Sequence, residues 1–211
     1  MKIGKIAFMI LNLVLLQLGR IIFKYVIFIF IDRSLLSDVI VNMLYMGIII
    51  GVFIAIIKKK KININIFPEK FNIKYKVFTI IVSLFFIITP IVTTNYQLYN
   101  ILSLIYNAII TVIFEEFIFR GYIFKEIGLM KNGLIAYIVS TLLFGIWHFG
   151  YIDTIIWRTS LFYTNFRYCK YNVLESYNRH SNWNSFRIFR YKNKNVYSSI
   201  LVHTFINTFG S

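Results

Sequence analysis

The stretch TVIFEEFIFRGYIF, residues 111–124, places charged side chains inside a run of phenylalanine, isoleucine and valine. Glu116 and Arg120 are four positions apart, so they can pair on one face of a helix. Glu115 points about 100° away from Glu116 at about 3.6 residues per turn. A buried ion pair would account for Glu116 and Arg120 but not for Glu115. Because an ionised carboxylate is unfavourable at membrane depth, we treat the acids as candidate functional groups.

The composition around this stretch is that of a polytopic membrane protein. Of the 211 residues, 58% are hydrophobic and 15% are charged, which is more apolar surface than a soluble domain of this length needs. The formal charge of +15 falls largely in clusters between apolar runs. Such clusters set the topology of membrane proteins, so we expect the lipid bilayer as a partner and no nucleic acid. The single cysteine excludes an internal disulfide framework.

Apolar runs of about 20 residues divide the chain into candidate membrane spans. They lie at about 6–31, 39–57, 77–93, from 101 onward, 134–149 and, as a last short span, 196–209. We predict an all-α fold, a polytopic transmembrane bundle of about six to eight helices. Lys2, Lys5 and the run Lys58–Lys61 are expected on the cytoplasmic side. Pro90 is expected to kink or end the third span.

Two cations interrupt the first span. Arg20 and Lys24 are four positions apart and share one helical face. This spacing predicts that they face a wet interior or extend toward the membrane surface at one end of the span.

Two later apolar spans carry polar motifs of the same kind. FGIWHFG sets Phe144 and His148 on one helical face, and HTFIN sets His203 and Asn207 on another. A single intramembrane histidine is more often a helix-to-helix hydrogen bond than a catalyst. Three polar clusters on three spans, however, supply a base, imidazoles and an amide donor, which are the parts of a hydrolytic site.

The ordered set EExxxR, FxxxH and HxxxN resembles the CPBP family of intramembrane endopeptidases, which includes the type II CAAX prenyl proteases. The matching elements are Glu115 to Arg120, followed by Gly121-Tyr122, then Phe144 to His148 and His203 to Asn207. The family also contains bacterial proteins linked to bacteriocin processing or self-immunity. The resemblance covers residues 101–211, so we expect a catalytic core there and N-terminal membrane helices with a basic cytoplasmic loop in residues 1–100.

The resemblance implies peptide-bond hydrolysis within the bilayer, on a membrane-associated peptide or protein. Glu115 would be the general base that activates water, and His148 would bind or orient that water. His203 and Asn207 would donate to the oxyanion of the tetrahedral intermediate. Arg120 would orient Glu116, which would support the site, and Phe144 belongs to the same motif set.

A zinc mechanism is the rival implied by the resemblance. Glu115, His148 and His203 would form a three-ligand zinc site with an open water position. No HExxH motif is present, and the resemblance favours the metal-free glutamate mechanism. We therefore expect no cofactor, with zinc as the alternative.

One segment does not fit this pattern. Residues 167–195 are polar and unpatterned where the family would place another membrane helix between the two histidine motifs, and residues 167–188 are the anomalous part of this core. One reading is a long hydrophilic loop. The other is that two compensating frameshifts or sequencing errors replaced a helix, because the segment back-translates through A+T-rich codons into an apolar, glycine-bearing string in the shifted frame. On that reading His180 and Cys169 are not site residues.

The sequence is compatible with other functions as well. The same fold could serve a non-catalytic membrane immunity or interaction protein, a frameshifted product could be inactive, and a small transporter is a third reading that the lack of repeat symmetry disfavours. Richness in Ile, Phe, Tyr, Asn and Lys fits an A+T-rich genome. We therefore expect a multi-pass protein of a bacterial plasma membrane.

Overall fold

The computed structural model describes residues 2–59, 61–62, 64–94, 96–162 and 195–209. Six helices and no strand occur in these ranges. In chain order they are α1 (Lys2–Phe30), α2 (Leu35–Lys59), α3 (Ile73–Val92), α4 (Leu98–Met130), α5 (Gly133–Phe162) and α6 (Val196–Phe209). The predicted all-α class is confirmed. Helices satisfy their own backbone hydrogen bonds, which is what an apolar chain in lipid requires.

The first five of these helices are long and apolar enough to cross a membrane, and α6 is shorter. Large apolar side chains project outward along α1, α2, α3 and α5, as expected of surfaces that contact lipid, whereas in α4 they are exposed only near its ends. Pro90 lies inside α3, two residues before the helix ends at Val92. The fifth span was predicted to end at residue 149, but α5 continues to Phe162.

Asparagine side chains cap the N-termini of three of the helices. Asn72 accepts a hydrogen bond from the backbone N–H of Tyr75 at the start of α3, and Asn132 accepts one from Ile135 at the start of α5. Asn195 accepts one from the N–H of Ser198 in α6. Each carboxamide satisfies a backbone donor that a helix N-terminus leaves without an intrahelical partner.

The core lies between α1, α2, α4 and α5, where apolar side chains such as Met46, Phe114, Phe119 and Trp147 are buried together. Aromatic rings dominate the contact between α4 and α5. Phe119 packs edge-on against Phe144 with centroids 5.2 Å apart, and Phe114 packs against Trp147 at 5.7 Å. Such pairs add to the stabilisation from burial by about 0.5–1.5 kcal/mol each.

The helices that carry the polar motifs meet side by side. α5 runs antiparallel to α4, since Phe119 contacts Phe144 while Glu115 contacts Tyr151 further along α5. α6 also runs antiparallel to α4, because Asn107 bonds Asn207 while Glu116 bonds His203. Thus α5 and α6 run in the same direction on either side of the two acids. The predicted loop or replaced helix at residues 167–188 lies outside the described residues.

A cluster of six charged side chains joins α1, α2 and α5 and the residues between α1 and α2; its members are Arg20, Lys24, Arg33, Asp38, Asp153 and Arg158. We call it the ionic cluster. Asp38 is fully buried and receives Lys24 Nζ at 2.9 Å, Arg33 Nη2 at 2.8 Å and Arg158 Nη2 at 3.1 Å. Arg20 pairs with Asp153. Arg20 and Lys24 are therefore neutralised by carboxylates of α5 and α2, and the sequence did not predict these pairs.

Candidate active site

Both acids of the opening stretch are buried in α4. Glu115 and Glu116 are each 1% exposed and end a short α-helical segment, Thr111–Glu116. This segment is flanked by two π-helical segments, Tyr106–Ile110 and Phe117–Ile123. A π-helical insertion is rare and is frequently found at functional sites, where it rotates the following side chains out of the regular α register.

The Glu115 carboxylate faces an imidazole at each oxygen. His148 Nε2 of α5 lies 3.9 Å from Oε1, and His203 Nε2 of α6 lies 4.0 Å from Oε2. Tyr151 Oη of α5 donates a hydrogen bond to Oε1 at 3.3 Å. Three helices thus converge on one buried carboxylate.

The hydrogen bonds of the two imidazoles assign their tautomers. His148 Nδ1 lies 2.8 Å from the backbone carbonyl of Phe144, which can only accept, so Nδ1 carries the proton. His203 Nδ1 lies 2.9 Å from Glu116 Oε1, and an ionised carboxylate likewise only accepts. In the neutral rings, both Nε2 atoms therefore present lone pairs toward Glu115.

Glu116 is held by the same helix and by α6. Arg120 Nη1 lies 3.4 Å from Glu116 Oε1, the oxygen that also receives His203 Nδ1. The Arg120 guanidinium lies over the Phe144 ring at 4.3 Å. The same ring contacts His148, with centroids 4.4 Å apart, and forms an apolar wall behind the charged groups. Phe144 therefore joins the site through its ring and through its backbone carbonyl, which bonds His148 Nδ1.

The carboxamide of Asn207 lies one helical turn beyond His203. Its Nδ2 donates to the backbone carbonyl of Asn107 at 2.8 Å, and Thr204 Oγ1 donates to that of Ala108 at the same distance. Both carbonyls belong to the first π-helical segment, so this segment anchors α6 to α4. The structure brings Glu115, His148 and His203 together, whereas it bonds Asn207 to the backbone of α4.

Tyr151 was missed by the sequence reading. It follows His148 by three positions, and residues at that spacing share a helical face. The signal was therefore present in the sequence. Tyrosine is the second commonest aromatic residue of this chain, however, with 15 copies, so its presence near a motif carried little weight.

The zinc alternative needs three ligand atoms that can share one ion. The described part of the chain contains no group of three or more His, Cys, Asp or Glu side chains arranged to hold a metal. The separations of 3.9 and 4.0 Å between Glu115 and the imidazole nitrogens exceed the spacing of about 3.3 Å between ligands of a tetrahedral zinc ion. As placed, these side chains do not fit a zinc site, and we route no chemical step through a metal.

The fold and the site define a class: a multi-pass membrane protein with an acid and two imidazoles enclosed between its helices. The family model for type II CAAX prenyl endopeptidases, Rce1-like, matches residues 96–209, which is more than half of the chain. The chain belongs to this endopeptidase family. The match spans α4, α5 and α6, and α1, α2 and α3 lie outside it. No curated protein and no solved structure matches the chain.

Proposed function

We propose that this protein is an intramembrane endopeptidase that hydrolyses membrane-associated peptides or proteins with a water activated by Glu115. The observation that carries the proposal is the buried Glu115 carboxylate facing Nε2 of both His148 and His203. A simple ion pair does not require this arrangement, because Glu116 already pairs with Arg120.

In the proposed reaction Glu115 takes one proton from a water molecule. His148 Nε2 presents a lone pair on the same side and accepts the other water hydrogen, which orients the oxygen for attack. The water oxygen bonds the scissile carbonyl carbon and the carbonyl π electrons move to its oxygen, giving a tetrahedral oxyanion. Collapse of this intermediate breaks the C–N bond, and Glu115 returns its proton to the leaving nitrogen.

His203 has a distinct requirement for the oxyanion role. Its Nδ1–H is directed to Glu116, so Nε2 can donate to an oxyanion only when the ring carries a second proton. The Glu116 carboxylate stabilises such an imidazolium, and Arg120 holds that carboxylate in place. We propose that His203 acts as an imidazolium donor. Asn207 retains its proposed donor role and fixes α6 against α4.

The family and the membrane spans around the site support two candidate substrate classes. The family description names CAAX prenyl endopeptidases, so a peptide with a prenylated cysteine near its C-terminus is one candidate. An apolar, unprenylated peptide is the other, and it suits the bacterial plasma membrane in which we place this chain. There, peptide maturation or bacteriocin self-immunity is the cellular context that we propose.

The test uses the purified full-length chain in detergent and two internally quenched peptides of equal sequence, one farnesylated on a CAAX cysteine and one not. We expect the wild type to cleave at least one peptide and Glu115→Ala to cleave neither, with both proteins showing the same unfolding temperature. Cleavage of neither peptide by the folded wild type, or equal cleavage by Glu115→Ala, would overturn the proposal. Which peptide is cleaved identifies the substrate class.

A chelation experiment separates the metal-free mechanism from the zinc alternative. Wild type is assayed after dialysis against 1,10-phenanthroline, and again after zinc is added back. We expect the same rate in all conditions. Loss of cleavage that zinc restores would instead assign Glu115, His148 and His203 as ligands.

A further inference from the structure

Tyr151 is a side chain of the proposed site with no role in the mechanism so far. Its hydroxyl donates to Glu115 Oε1, and it accepts a hydrogen bond from Trp147 Nε1 at 3.1 Å. Because the indole N–H occupies an acceptor position on Oη, the hydroxyl hydrogen is directed to the carboxylate. Tyr151 thus fixes the oxygen of Glu115 that also faces His148.

Two side chains of α1 bond the segment of α5 that carries His148 and Tyr151. Gln17 Nε2 donates to the backbone carbonyl of Trp147 at 3.1 Å. Arg20 is 1% exposed and donates to the carbonyl of Gly150, to Asp153 Oδ1 and to Thr154 Oγ1. We call Gln17 and Arg20 the α1 clamp. Its contacts bracket residues 147–154 of α5.

This segment contains the one turn of α5 that departs from regular α-helical geometry. Phe149–Tyr151 form a 3₁₀ turn within the otherwise α-helical α5. Hydrogen bonds in a 3₁₀ turn are less favourable than those of an α-helix, and such turns mark points where a helix can adjust. External donors at Trp147 O and Gly150 O therefore hold this turn in a defined shape.

Arg20 also contacts Tyr151 directly. Its guanidinium carbon lies 5.1 Å from the centroid of the Tyr151 ring, within the range of a cation–π contact. The ring also meets Trp147 edge-on, with centroids 6.0 Å apart. The ring is therefore held by a cation and by an aromatic neighbour while its hydroxyl reaches Glu115.

Gly150 leaves room for the amide end of Gln17. A Cβ at this position would lie 2.2 Å from Gln17 Cδ. The amide end of Gln17 would have to move, and it would then lose its bonds to Trp147 and to Arg20. Gly150 thus offers a way to disturb the α1 clamp without changing either of its members.

We propose that Tyr151 is a positioning residue for Glu115 and that the α1 clamp holds it there, so that the catalytic apparatus extends into α1. This inference rests on the proposed function, and it adds residues 17 and 20, which lie outside the family match at residues 96–209. The alternative is that these contacts only hold the bundle together. The two readings differ in what they predict for catalysis by a folded protein.

Tyr151→Phe tests the positioning role because it removes only the hydroxyl and keeps the ring. We expect kcat on the cleaved quenched peptide to fall about tenfold, with KM within about twofold of wild type, because misplacing a catalytic group slows chemistry rather than binding. Tyr25→Phe, on the exposed face of α1, is the matched control and should leave both constants unchanged. An unchanged kcat for folded Tyr151→Phe, or a change in KM alone, overturns the proposal.

A double-mutant cycle tests the α1 clamp. Arg20→Lys keeps a positive charge for Asp153 but removes the planar guanidinium group, which donates several hydrogen bonds at once. We therefore expect a loss of kcat similar to that of Tyr151→Phe. If Arg20 acts through Tyr151, the double variant is no slower than the slower single variant. If the losses of kcat in the two single variants multiply in the double variant, Arg20 acts independently of Tyr151 and is removed from the proposal. Gly150→Ala should also lower kcat, because it disturbs the α1 clamp.

Glu115→Gln distinguishes failure of this inference from failure of the proposed function. If Glu115→Gln keeps wild-type cleavage, Glu115 is not the base and the proposed function is wrong. If Glu115→Gln is inactive while Tyr151→Phe matches wild type, the proposed function stands and the positioning role is wrong.

Discussion

At the scale of single residues, two adjacent acids have different partners because α4 directs them to different neighbours. Glu115 faces the Nε2 atoms of both histidines, whereas Glu116 bonds His203 Nδ1 and Arg120. The i, i+4 spacing in the sequence was enough to predict the pair of Glu116 with Arg120. It could not show which nitrogen of His203 points to which acid, because that depends on how α6 packs against α4.

The contact between Glu116 and His203 gives a residue-scale prediction. Glu116→Gln keeps the size of the side chain but removes the charge that stabilises an imidazolium at His203. We expect kcat to fall by roughly a hundredfold, within the range that one acid–base group contributes. The measurement is peptide cleavage, with Glu126→Gln near the end of α4 as the control. Equal rates for wild type and folded Glu116→Gln would show that His203 needs no charged partner.

At the scale of helices, the ionic cluster explains why α5 is longer than predicted. Asp153 and Arg158 lower the apolar character of α5 beyond residue 149, where the predicted span ends. Both side chains are neutralised by partners in α1 and α2, which lets the helix continue. The sequence showed Arg20 and Lys24 on one face but not their partners. Asp153 is more than 100 positions from Arg20, and Asp38 lies on a different helix from Lys24, so neither pair leaves a local pattern.

Asp38 gives the prediction at this scale. It is buried beneath Lys24, Arg33 and Arg158, so Asp38→Asn leaves three cations with a neutral partner. Breaking a buried ion pair by removing one partner costs about 3–5 kcal/mol. We expect a clearly lower unfolding temperature in detergent. Asp32→Asn, at an exposed position between the same helices, is the control and should change stability by less than about 0.5 kcal/mol. Equal stability of the two variants would contradict a structural role for the ionic cluster.

At the scale of the whole molecule, composition and span length were sufficient to predict an all-helical membrane protein, since lipid leaves few other folds for so apolar a chain. The ordered motifs were sufficient to identify the family. The α1 clamp could not be predicted, because α1 resembles a generic hydrophobic helix and its role depends on docking against α5. Arg20 and Gln17 gain a function only from the contacts that the bundle creates.

The topology of the bundle gives a prediction for the whole chain. Positive-inside reasoning places Lys61 on the cytoplasmic side and Asp32 on the opposite side, because α2 separates them. With Cys169 replaced by serine, a membrane-impermeant maleimide applied to intact cells should label Asp32→Cys and not Lys61→Cys. Permeabilised cells should show labelling of both variants. The reverse pattern in intact cells would invert the orientation.

Glu115, between two imidazoles, is the group proposed to activate the water that cleaves a peptide. The most direct test of this role is the single-turnover cleavage rate of purified Glu115→Gln, which keeps the shape of the side chain and removes its basicity. We predict a rate at least about 10²-fold below that of wild type, with Glu126→Gln unchanged. A Glu115→Gln rate equal to that of wild type would contradict this role of Glu115.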